Sequence, residues 1–232
     1  MTIQIPDIVF PIIALTIAIV IALYSWRRSR SVAIIAVGWA ILSLFTAQIP
    51  YFQSIEAWSD GDMLGYNVFS LAMVLPVIIL LIALWRSEHF RQFMHDTPTW
   101  VLTASQLYRI AGASLLIFYW QGLLPAEIGL SNGVQDIIIG LTALPLAWML
   151  YRGFSWSRPI AIVWNVAGLF DFISAGMVLT LSILGEINLT PIPTRMGLYP
   201  LSLISLYQVP VAIFIHIYLL QRLFRKDAEP LE

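Results

Sequence analysis

The sequence predicts an all-α membrane protein of seven transmembrane helices, with its N-terminus outside and its C-terminus in the cytoplasm. Three observations predict it: the composition, seven apolar runs of spanning length, and an alternation of charge in the gaps between them. Of 232 residues, 59% are hydrophobic and 11% charged, with a mean hydropathy of +0.85. A soluble domain of this size cannot hide so much apolar surface, and lipid is the solvent that fits. The runs cover residues 8–26, 32–52, 64–85, 99–121, 130–151, 159–185 and 198–221. Each is near the ~20 residues with which an α-helix crosses ~30 Å of hydrocarbon. Strand-like alternation is missing, which argues against a β-barrel. No stretch outside the runs is long enough for a second domain, so residues 1–232 read as one membrane domain.

Charge orients the runs. Arg27, Arg28 and Arg30 fill the first gap, Arg86 and Arg91 the third, Arg152 and Arg158 the fifth; Arg222, Arg225 and Lys226 follow the seventh run. The gaps between carry Glu56, Asp60 and Asp62, then Glu127, then Glu186 with the single Arg195. Basic side chains flanking membrane spans stay on the cytoplasmic side, and every gap agrees. The pattern orients the chain across a membrane with its basic gaps in the cytoplasm, and gives no reason to expect nucleic acid as a partner. With no Cys, disulfides, thiolate metal sites and iron–sulfur clusters are excluded.

Taken in order, the first run follows acidic Asp7 and precedes the basic cluster, so it reads as a retained helix and not a signal peptide. The second run ends near Pro50, and the third holds Pro76 and ends at Trp85. The gap Glu88, His89, His95, Asp96 matches no metal-ligand spacing and reads as a solvated loop. The fourth run starts after Pro98 and holds Arg109; the fifth holds Asp136 and Pro145; the sixth starts at Pro159 and holds Asn165 and Asp171; the seventh holds Pro210 and His216. Trp26, Trp85, Trp100, Trp120 and Trp148 sit near run ends, where indole rings favour the interface. The four helices running inward each carry an internal proline, Pro11, Pro76, Pro145 and Pro210. Ordinary kinks account for these; a 3+1+3 arrangement whose kinked helices line a path accounts for them as well.

Ionisable residues inside the bilayer are the candidate site. Arg109 lies about 16 Å into a ~30 Å core, Asp171 is at similar depth, His216 is in the inner third, and Asp136 is expected near the outer end of its run. Side chains lean toward their helix's N-terminus. Arg109 and Asp171 therefore lean inward, His216 leans toward their layer, and Asp136 leans away. Arg109 and Asp171 are the favoured pair, with His216 and Asn165 as neighbours. Two buried carboxylates against one arginine leave one without a permanent cation, free to take a proton, a cation or a substrate ammonium. A purely structural clasp between helices is the plainer alternative. Ala167, Asp171 and Ala175 form one small-residue row on the sixth run, and Gly168, Phe172 and Gly176 another, a spacing that suits close helix packing.

These residues resemble a widespread family of uncharacterised bacterial membrane proteins over residues 105–222. The matching pieces are Arg109-x-x-Gly112, Gly122-Leu123-Leu124-Pro125, Asp136 with Gly140 and Ala143, Trp164-Asn165-x-x-Gly168-x-x-Asp171, Pro200, and Val209-Pro210 with His216. The family's Pro-Ala-Gly-x-Gly-Asp stretch reads Ser131-Asn132-Gly133-Val134-Gln135-Asp136 here. The resemblance implies the same polar set and brings no activity with it.

Other classes fit less well. Retinal needs a helix lysine, and Lys226 lies outside the runs; transmembrane haem needs a second histidine at depth. SWEET-like transporters share the length but not the Pro-Gln signature, and no Ser/His/Asp constellation or diiron pattern is present. The leading expectation is a small transporter or ligand-binding protein with Arg109, Asp136, Asn165, Asp171 and His216 at a central site, proton- or cation-coupled. Its partners are the bilayer, a small solute or ion, and a second copy or another membrane protein. A non-catalytic accessory subunit comes second, an intramembrane enzyme on a hydrophobic substrate third.

Overall fold

A computed structural model describes residues 5–49 and 63–225. Glu56, Asp60, Asp62, Lys226 and the end of the second run lie outside the described residues. Every regular element among those described is helical. We number the helices α1 Ile5–Ser25, α2 Arg30–Thr46, α3 Met63–Arg86, α4 Glu88–Asp96, α5 Thr99–Trp120, α6 Ala126–Tyr151, α7 Ser157–Ile183 and α8 Ile204–Phe224. Six of them, all but α2 and α4, are long and apolar enough to cross a membrane. Their outward faces suit lipid: Leu23, Trp85, Val163 and Trp120 are each more than 60% exposed.

The run expected over 32–52 forms the 17-residue α2. A proline disfavours helical backbone at the residue before it, so Pro50 opposes continuation through Ile49. The gap read as a solvated loop instead contains α4. Ser87 Oγ accepts a hydrogen bond from the Phe90 N–H at 3.2 Å, Glu88 sits in the first turn, where it complements the helix dipole, and Met94 is buried. The helix expected from 130 starts at Ala126, after extended Pro125 and with Glu127 in its first turn. The last helix starts later than expected, with a π-turn over Ile204–Gln208 directly ahead of Pro210. Pro210 lacks an N–H and crowds the preceding turn, and the wider π-turn accommodates both.

The described residues form two compact units, one within 1–93 and 192–211, the other within 94–191 and 212–232. In the first, α1 and α2 pack through small side chains: Ala14 and Ala18 on α1, Ala33, Ala36, Ala40 and Ser43 on α2, all buried. Small residues let membrane helices approach closely. The π-turn is tied to α2, where Ser43 Oγ donates to the Leu206 carbonyl and Tyr207 Oη to that of Ala36, each at 3.3 Å. In the second unit, Ile139, Ala143, Leu146, Leu150, Ala161, Trp164 and Leu223 form a continuous core. Arg158 closes one end of it by donating to the Leu223 carbonyl at 2.7 Å, and Arg222 donates to that of Thr97 at 2.7 Å. These are the carbonyl-capping positions that cations favour.

Candidate functional site

The site is built within the second unit, on α5, α6, α7 and α8. The middle of α5, Ser105–Gly112, is a 3₁₀ stretch. Hydroxyls sit at both of its edges: Ser105 Oγ donates to the Leu102 carbonyl at 2.7 Å, and Ser114 Oγ to that of Ala111. Such three-residue back-bonds compete with the α-helical ladder. With three residues per turn, Gln106, Arg109 and Gly112 fall on one line, and all three are buried.

Helix α6 brings a row of small residues against this line. A Cβ on Gly140 would lie 2.5 Å from the Ile110 backbone nitrogen, one on Gly133 3.0 Å from the Gly112 carbonyl oxygen, and one on Gly129 2.7 Å from the Tyr119 Cβ. Only hydrogen fits at these positions. Gly112 meets the Asp136 side chain in the same way. Asp136 is ten residues past Ala126, so about 15 Å along the helix and level with Arg109. The expected position near the outer end is thereby corrected: the helix begins four residues earlier than its apolar run.

The five residues singled out in the sequence form one hydrogen-bonded cluster. Arg109 Nε donates to Asp136 Oδ1 at 2.6 Å, and Arg109 Nη2 to Asp171 Oδ2. Arg109 Nη1 lies 3.2 Å from His216 Nε2, and His216 Nδ1 lies 2.8 Å from Asn165 Oδ1. Asn165 Nδ2 donates to the Ala161 carbonyl at 2.7 Å. Donor chemistry fixes the direction of this chain. A guanidinium only donates, so Nε2 of His216 accepts; Nδ1 then carries the proton and donates to Asn165. The histidine is neutral in this arrangement.

Packing holds the cluster from the sides. The Phe172 ring lies 4.2 Å from the guanidinium carbon of Arg109, a cation–π contact. The Trp164 ring lies 5.3 Å from that of His216, and its Nε1 donates to Thr142 Oγ1 at 2.9 Å. A Cβ on Gly168 would come within 2.5 Å of the imidazole. Gly168 therefore makes room for a side chain and not for a helix. Among the described residues, the two small-residue rows on α7 are not packed along their length: Ala167 is exposed, and Gly176 has no neighbour where its Cβ would be.

The arrangement leaves two chemical features. One guanidinium is shared by two carboxylates, so with both ionised the cluster holds one uncompensated negative charge. Asp171 Oδ1 is buried without a protein partner. The side chains of Arg109 and Asp171 are 1% and 2% exposed, that of Asp136 14%, so Asp136 is the less buried of the two carboxylates. Sequence reasoning passed over Gln106, whose amide is buried with neither atom partnered, and over Gly129 and Gly133, whose four-residue spacing was the available signal. Among the described residues, no group of three or more His, Asp and Glu is arranged to hold a metal ion. His89 in α4 instead bonds Ser29 at 2.8 Å.

Residues 66–224 match a family described as a domain of unknown function, DUF8737. All five clustered residues lie within that stretch, in line with the resemblance to an uncharacterised family. No curated protein and no solved structure matches this chain.

Proposed function

This chain belongs to the DUF8737 family, whose function is unknown, and we propose that it is a small multi-pass membrane transporter or ligand-binding protein, coupled to a proton or cation at a polar centre. The single observation that carries the reading is the sharing of Arg109 by Asp136 and Asp171 in a buried cluster. A permanently uncompensated charge at membrane depth is costly. The free oxygen of Asp171 supplies a place for the compensating proton or cation. Asp136 serves as the group that meets solute from solvent, and His216 and Asn165 hold the geometry.

In this reading α2 is the seventh span, since 17 residues are at the short end of spanning lengths, and the seven helices form one membrane domain. The N-terminus is external and the C-terminus cytoplasmic, in a bacterial inner membrane. Cation–aromatic contacts occur at the span ends that carry these arginines. Arg28 lies over Tyr24, Arg30 over Trp26, Arg86 over Trp85 and Arg152 over Trp148, all in gaps assigned to the cytoplasm. A reporter fused after Glu232 is expected to read cytoplasmic and one inserted between residues 53 and 63 external; an external C-terminal reporter would sink the seven-span topology.

The function is tested in liposomes loaded with a pH dye. Wild-type protein is expected to move protons or cations under a gradient. Asp171→Asn is expected to remain folded and lose the coupling to pH, while Asp136→Asn mainly weakens binding from outside. The second reading, a non-catalytic accessory subunit, is favoured by the backbone-close glycine packing of α5 on α6, which suits a rigid lock between helices. Wild-type protein that moves no ion under any gradient, and that native mass spectrometry finds holding a membrane partner, would establish that reading instead.

A further inference from the structure

The inner half of α5 is lined by polar side chains where a membrane helix is ordinarily apolar. Thr99, Thr103, Gln106 and Arg109 follow one another at spacings of four, three and three residues, which keeps them on one face. All four are buried, none more than 3% exposed. Thr103 Oγ1 donates back to the Thr99 carbonyl at 3.0 Å. Thr99 Oγ1, both amide atoms of Gln106, and Asp171 Oδ1 have no protein partner. Buried polar atoms in folded proteins are nearly always satisfied, by protein or by water. Thr99 and Gln106 thus present unpartnered groups on one face of α5 whose last member, Arg109, bonds the Asp171 carboxylate of α7, and such groups are ones that water can satisfy.

We infer that this face is a hydrated path carrying protons between the Pro98 end of α5 and Asp171. The inference rests on the proposed proton or cation site and specifies its route of access. Water at the Pro98 end hands on a proton past Thr99, Thr103 and Gln106, whose hydroxyl and amide groups both donate and accept. The proton ends on Asp171 Oδ1, a carboxylate becomes a carboxylic acid, and the cluster changes from one net negative charge to none. Among the described residues, the charged and titratable groups gathered around Asp171 are Arg109 on α5, which bonds it, and Asp136 on α6 and His216 on α8, which bond the same guanidinium. Asp136, the more open carboxylate, offers protons a competing route, and the test must separate the two.

The experiment follows the infrared carbonyl band of the protonated carboxylic acid in full-length protein in lipid after a step to acid pH, the band being assigned by its loss in Asp171→Asn. Gln106→Leu is expected to slow its appearance about tenfold, the effect of one lost hydrogen-bonding group on a barrier, and to leave the final amplitude unchanged. Thr99→Val and Gln106→Met, which preserve size, are expected to slow it as well and remain informative if Gln106→Leu does not fold. Rates that ignore all three substitutions and fall instead with Asp136→Asn would overturn the path while leaving the proton site standing. A wild-type protein showing no such band at any pH would overturn the site and the path together.

Discussion

Arg109→Ala is expected to be the most damaging single substitution in the cluster, removing most of the folded protein. It deletes the cation that, among the described residues, alone pairs with Asp136 and Asp171, together with the donor to His216 Nε2 and the partner of the Phe172 ring. Stranding one partner of a buried ion pair typically costs about 3–5 kcal/mol, and here two carboxylates are stranded. Asp136→Ala should cost less, because it leaves Arg109 and Asp171 as a balanced pair and removes the more open group. Thermal unfolding in detergent, followed by tryptophan fluorescence, measures the difference. The triple variant Arg109→Ala, Asp136→Asn, Asp171→Asn should recover part of the loss, since it removes the stranded charges as well. Equal losses for Arg109→Ala and Asp136→Ala, or no recovery in the triple variant, would show that charge balance does not hold the cluster.

Gly140→Ala should give the second largest effect, and it separates close packing from helix propensity. Alanine normally stabilises a helix relative to glycine by about 0.5–1 kcal/mol. At Gly140 the added carbon would lie 2.5 Å from the Ile110 backbone nitrogen and 3.1 Å from the Arg109 carbonyl carbon. Backbone cannot rotate aside as a side chain can, so the helices must separate, at the cost of about 1–3 kcal/mol typical of overpacking. Separation also draws Arg109 away from Asp136, so proton or ion coupling should weaken along with stability. Gly38→Ala and Gly176→Ala are the controls: nothing lies within 4 Å of either Cβ position, and both should be neutral or slightly stabilising. The same unfolding assay reads all three. A stabilised Gly140→Ala protein would contradict the contact between α5 and α6.

Much of the site was legible in the sequence because membrane depth makes a charged residue conspicuous. Arg109, Asp136, Asn165, Asp171 and His216 interrupt apolar runs where each needs a partner, and all five meet. The pairing of Arg109 with both carboxylates was not legible. Side-chain lean and distance from the apolar boundary assigned Asp136 to the outer surface, but α6 continues past that boundary to Pro125, where a proline and an acidic first turn start it. Hydropathy measures where lipid contact begins, and helix geometry follows capping and hydrogen bonding.

By itself the sequence determined the solvent of this protein, its all-helical class, the helices' approximate positions and the residues that do not belong in lipid. These are properties of single segments, set by hydrophobicity and charge. Only the tertiary structure decided which of those residues share a hydrogen bond, because that depends on how far two helices approach and on local winding. The 3₁₀ stretch turns Gln106 and Arg109 onto one face, and the glycines of α6 bring Asp136 within reach of the guanidinium. Backbone contacts between α5 and α6 set both, and the spacing of Gly129 and Gly133 is the one trace of them in the chain, silent on which helix it meets.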